Sequence, residues 1–269
     1  MERNESGAAG GQAIRQAGSS PERQGGIGSW IAGVFMDPTR TFESIVGRTA
    51  EPHPTDPQRT VDRTKWWIPV IIAAVVGLAV ALYTVPNIVM PQQAEVIRET
   101  VIERGGTAEQ AEQAISMSSA VATPMAVVGA IVGTFVMFFV IAGILHLVAK
   151  MLGGKGAFRN GRAIVAYSML VSALGSIVKL PLMVVRKTLF VETGPTLFFP
   201  NLEPSDRLYR VLTSFDFFNI WWIVLLIFGL AIAYRLPRVR VAVAVIVLWA
   251  VVAAVSSMLP AGGAFGVSG

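Results

Sequence analysis

The chain contains no cysteine, which excludes disulfides, thiolate chemistry and cysteine-ligated metals. Charge is scarce: 14% of the 269 residues are Asp, Glu, Lys or Arg, against about 25% in a soluble domain. The first 28 residues hold no apolar run of the kind a cleaved signal peptide needs. Gly10-Gly11, Ser19-Ser20 and Gly25-Gly26 with scattered Arg point instead to a disordered tail over residues 1–28. His53 has no second histidine at ligand spacing and only Asp56 nearby, so no metal is expected there.

What the chain has in abundance is apolar sequence, and its mean hydropathy of +0.59 places it in the membrane class. Five stretches run from Trp66 to Val89, Val121 to Val148, Ala163 to Val185, Phe217 to Tyr234 and Val241 to Leu259. At about 1.5 Å per residue, a helix of about 20 residues crosses a hydrocarbon core of about 30 Å. The expected fold is an all-α integral membrane protein with five transmembrane helices, interfacial amphipathic helices and an extracytoplasmic helical hairpin. Its parts would be the tail, cytoplasmic interfacial helices with a linker over 29–65, a membrane domain over 66–259 and a flexible C-terminal tail over 260–269.

The formal charge of +5 does not point to nucleic acid, because Lys and Arg gather at the ends of the apolar stretches and before residue 65. With the N-terminus cytoplasmic, the short inside loops carry Lys150, Lys155, Arg159, Arg162, Arg235, Arg238 and Arg240. Arg48, Arg59, Arg63 and Lys65 flank the first crossing on the same side. The longer outside loops, Met90 to Ala120 and Arg186 to Asp216, are poorer in basic residues, although Arg186 and Lys187 run against the trend. Basic density therefore favours a cell-membrane protein with its N-terminus inside and its C-terminus outside.

Trp30, Ile31, Val34 and Phe35, then Phe42, Ile45 and Val46, recur at helical spacing on either side of Asp37-Pro38, an N-cap followed by the first helical position. These two short helices read as an interfacial anchor or as a docking surface. The proline-rich Glu51 to Pro57 reads as a linker. In the first outside loop Pro91 opens a helix, Gly105-Gly106 stop it, and Thr107 with Gln110 resembles a capping box for a second helix. Its glutamates, from Glu95 to Glu112, form a solvated face or a partner surface. In the second outside loop Leu197 to Pro200 is apolar enough to dip into the interface, ahead of a short helix from Ser205 to Ser214.

No acid, base and nucleophile set is visible in the crossings, so no enzyme and no cofactor are expected. Lys179 is the one charged residue clearly inside a span; it is either a functional charge, a side chain that snorkels outward or half of an internal pair. Asp216 suits a helix cap, with a ligand or proton site as the other reading, and Asn219 lies one turn on. His146, a turn from Lys150, is an interfacial histidine or a proton carrier. Tyr167, with Lys179 and Asn87, would form the polar site of a transporter or channel component, although no internal repeat supports two inverted halves. Gly153-Gly154-Lys155-Gly156 lacks the Lys-Ser/Thr ending of a phosphate-binding loop and reads as a tight basic turn held to the membrane surface by Phe158 and Arg159. Gly129 and Gly133 form a Gly-x-x-x-Gly that permits close helix approach.

Together, Phe35 to Phe42, Leu152 to Gly156 with Ala166-Tyr167-Ser168, and Ser214 to Trp221 leading to Gly229 resemble the Ypt-interacting-protein (Yip) domain family in its prokaryotic branch. The resemblance runs from Trp30 to Leu259 and departs from the family pattern at Met169 to Ser172, where relatives often carry a proline-containing stretch. It implies a five-helix membrane fold with a cytoplasmic N-terminal segment. Eukaryotic relatives are associated with Rab-type GTPases and vesicle trafficking, a role that no residue here supports. The expected partners are the lipid bilayer, membrane or cytoplasmic proteins and a second copy of the chain, with no nucleic acid.

Overall fold

The computed structural model describes residues 26–53, 56–188, 194–195, 199, 206, 208–209, 212 and 215–258. Residues 1–25 of the expected N-terminal tail and the whole of the expected tail over 260–269 lie outside the described residues, as do most of Leu197 to Pro200 and Ser205 to Ser214. Five described helices are long and apolar enough to cross a membrane, and the protein is a multi-pass membrane protein.

The chain begins with α1 (Ile27–Met36) and α2 (Pro38–Gly47), so α1 takes in two residues assigned above to the tail. Asp37 caps α2 by accepting the Arg40 N–H at 3.2 Å, and Pro38 takes the first helical position, where a missing N–H does no harm. The apolar side of this pair lies against the protein's own helices. Val34, Phe42 and Ile45 have no exposed surface. Trp30 meets Tyr167 edge-on at 5.8 Å, and Phe35 meets Trp221 at 5.6 Å. Arg40 and Glu43 form the outer, charged side of α2.

The proline-rich segment is more than a linker. Glu51–His53 (β1) and Asp56–Val61 (β2) pair as an antiparallel ribbon, with Glu51 opposite Val61. Proline excludes a helix but tolerates the edge of a ribbon this small. Glu51 holds it in place, reached by Arg48 at 3.2 Å and Arg63 at 3.4 Å.

The first crossing and the first outside helix are one rod. α3 (Trp67–Thr84) passes through a π-helical turn at Val85–Val89 into α4 (Met90–Glu103). Pro86 would clash with the carbonyl four residues back in a regular helix. The wider turn relieves that clash, and Asn87 Nδ2 donates to the Tyr83 carbonyl at 2.8 Å. A second rod, α5 (Ala108–Val128) and α6 (Thr134–Met151), is interrupted by a π turn at Gly129–Gly133. A Cβ at Gly129 or Gly133 would meet nothing within 4 Å, so neither glycine is required for the approach of this turn to α3.

Between α4 and α5, Gly105 takes φ +80°, a conformation favouring glycine. The capping box forms as read from the sequence: Thr107 Oγ1 accepts the Gln110 N–H at 3.2 Å, and Gln110 Oε1 accepts the Thr107 N–H at 2.9 Å. Arg98 and Glu112 join the two helices at 2.6 Å. Thr107→Ala is expected to lower stability by about 1 kcal/mol, read as earlier hydrogen exchange in the first turn of α5; unchanged exchange there would remove the cap from the account.

α7 (Phe158–Arg186) is the central post, packed by α3, α6, α1, α2 and α8 (Phe217–Tyr234). Residues from Ala163 to Ser168 are buried without a break, a pattern for a helix surrounded on all sides. α9 (Arg238–Met258) lies outermost, with Val243, Val247 and Val251 exposed, as a lipid-facing helix requires.

Candidate functional site

Three glycine contacts set the antiparallel register of α7 against α8. A Cβ at Gly161 would strike the Tyr234 hydroxyl, one at Gly229 would strike Ile164 and press on Phe42, and one at Gly175 would come within 2.8 Å of the Phe218 ring. Small residues at these crossings let two membrane helices approach closely. The register they fix brings Lys179, near the end of α7, onto Asp216 at the start of α8.

Lys179 Nζ lies 3.2 Å from Asp216 Oδ2, with the side chains only 6% and 10% exposed. The other carboxylate oxygen accepts the N–H groups of Phe218 at 3.0 Å and Asn219 at 3.3 Å. Asp216 is thus a helix cap, as its position suggested, and also the counter-charge of Lys179. Burial of the ammonium beside a carboxylate rules out snorkelling and leaves the internal pair. Asn219 takes part through its backbone N–H.

The other residues singled out in the sequence lie elsewhere. Tyr167, fully buried, donates its hydroxyl to the Thr64 carbonyl at 2.9 Å and fixes the chain just before α3. It lies on the same helix as Lys179, about 18 Å away along the axis. Asn87 bonds within its own rod, so the structure does not assemble Lys179, Tyr167 and Asn87 into one polar site. Beside Tyr167, Arg162 pairs with Asp62 at 2.8 Å and lies over the Trp66 ring at 4.4 Å, and Trp66 stacks on Phe138 at 5.4 Å. Sequence reasoning missed Asp62 and Thr64, which sit in a polar stretch with no periodicity to mark them.

At the other end of α8, Tyr234 gathers the second group. Its hydroxyl lies 2.6 Å from His146 Nδ1 on α6, whose ring also meets Phe158 edge-on at 5.4 Å. Gly153 turns the chain at φ +84°. Gly154 and Gly156 then pass so close to Tyr234 and Ala233 that a Cβ on either would collide. The Lys155 N–H donates to the Tyr234 carbonyl at 3.0 Å. The tight turn expected from the sequence is therefore held by α8. Within the protein, Phe158 packs on His146, and Arg159 donates to Thr60 Oγ1 at 3.1 Å.

The motifs at Asp37-Pro38, Gly153 to Gly156 and Asp216 thus account for helix docking. The Yip1 domain family model matches residues 32–259. The chain belongs to the Yip1 domain family. Comparison with curated proteins and with solved structures found no match. In this Yip1 domain the matched region starts inside α1, and α1 with α2 is built into the bundle through Trp30, Phe42 and Ile45.

Proposed function

We propose that this Yip1-family protein performs no chemistry of its own and acts by binding membrane or cytoplasmic proteins, or by organising the bilayer around it. We place it in the cell membrane with its N-terminus cytoplasmic and its C-terminus extracytoplasmic. The observation that carries the reading is the use made of polar groups within the crossings. Lys179 is paired with Asp216, His146 with Tyr234, and Tyr167 with the Thr64 carbonyl. Each of these joins one part of the bundle to another. A structural use within the bundle thus accounts for each of these polar groups. The surfaces left for recognition are the charged outer side of α2, the α4–α5 hairpin and the exposed basic turns.

Crosslinking in intact cells followed by mass spectrometry tests the proposal. Reproducible links from these surfaces to particular membrane or cytoplasmic proteins, or to a second copy of the chain, are expected. Recovery of no partner, while the purified protein moves a solute across vesicles, would replace the reading with a transport one.

A further inference from the structure

Acidic residues are missing from two long parts of the chain: none occurs between Glu112 and Glu192, and none after Asp216. The end of the bundle where α6 turns into α7 and α8 into α9 is built from those parts. Lys150, Lys155, Arg235, Arg238 and Arg240 are all exposed there, and none of them forms an ion pair among the described residues. Neighbouring cations differ, because Arg48 and Arg63 share Glu51 and Arg162 holds Asp62.

These cations, of which Arg238 lies over the Phe228 ring at 5.0 Å, sit on a fixed frame. The bond from the Lys155 N–H to the Tyr234 carbonyl sets Lys155 beside Arg235. An apolar niche lined by Leu145, Ala149, Leu236 and Val241 brings the end of α6, which carries Lys150, against the start of α9, which carries Arg238 and Arg240. Arg235 adopts φ +53°, a left-handed conformation that costs an L side chain about 1–2 kcal/mol and that glycine takes freely. A charge is thus kept at a position where backbone geometry alone favours none. Met151 and Val239, 80% and 74% exposed, lie among the cations.

We propose that this end of the bundle binds the headgroups of anionic phospholipids in the leaflet that it meets, the phosphates pairing with these cations while Met151 and Val239 enter the acyl layer. The combination of unneutralised positive charge with exposed apolar side chains fits a lipid, which presents both chemistries, better than an acidic soluble protein. The inference deepens the bilayer-organising part of the proposed function and rests on it.

The test uses the full-length protein in neutral detergent with added phosphatidylglycerol or phosphatidylcholine, followed by native mass spectrometry and thermal unfolding at low and high salt. The wild-type protein is expected to retain phosphatidylglycerol preferentially, with the preference shrinking as salt rises. Each neutralised cation should lower that preference about 5-fold, so that Lys155→Gln with Arg238→Gln and Arg240→Gln nearly abolishes it. If that triple variant fails to fold, Lys155→Gln with Arg240→Gln carries the same test with a loss of about 25-fold. Arg63→Gln, which removes a paired cation, should leave the preference intact. Equal retention of the two lipids, an unchanged preference in the variants, or the same stabilisation from inorganic phosphate alone would each overturn the proposal. Equal lipid retention would leave protein partners untouched, and a failed crosslinking search would leave a measured lipid preference standing.

Discussion

Lys179→Met is expected to destabilise the protein by about 3–5 kcal/mol, because it leaves the buried Asp216 carboxylate without its counter-charge. Asp216→Asn should be harmful for the mirror-image reason, although an Asn can still accept the Phe218 and Asn219 N–H groups that Asp216 caps. The double variant is then expected to recover most of the loss. Replacing both members of a buried ion pair by neutral groups of similar volume is often close to neutral, whereas removing one is not. Thermal unfolding of the four proteins in one detergent gives the coupling directly. Additive losses, or a Lys179→Met variant as stable as wild type, would show that the pair does not hold α7 to α8.

The second large effect is expected at the turn between α6 and α7. Gly156→Val places a side chain against the Ala233 carbonyl and the Tyr234 ring. A backbone carbonyl cannot swing aside as a side-chain end can, so overpacking here should cost about 3 kcal/mol. Gly161→Ala is a milder probe of the same contact, because its nearest obstacle is the Tyr234 hydroxyl. Removing that hydroxyl with Tyr234→Phe forfeits the bond to His146, worth about 1 kcal/mol. In a Gly161→Ala background it should also relieve the clash. The combined variant is therefore expected to be more stable than the sum of the single losses, and simple additivity in the unfolding midpoints would argue against the packing described.

Hydropathy and helix signals by themselves fixed much of the architecture: the five crossings, the Asp37-Pro38 break, the Thr107–Gln110 capping box and the cap at Asp216. All of these are local, depending on solvent, on residues within a turn, or on φ and N–H availability, and a sequence states such things directly. The continuity of each rod through a π turn was less legible, since Pro86 suggests a break that the helix avoids by widening, and the Gly129–Gly133 motif suggests a contact for which its glycines are not required.

The pairing of polar groups was decided only in three dimensions. Lys179 meets Asp216, His146 meets Tyr234 and Arg162 meets Asp62 because glycines at 161, 175 and 229 lock α7 and α8 in one register and the turn at 153–156 ties α6 to them. A shift of even one residue would rotate α7 by about 100° and break these contacts. The same packing directs the apolar side of α1 and α2 into the bundle. Periodicity shows that a helix has an apolar side, but which surface covers that side follows from how the helices fit together.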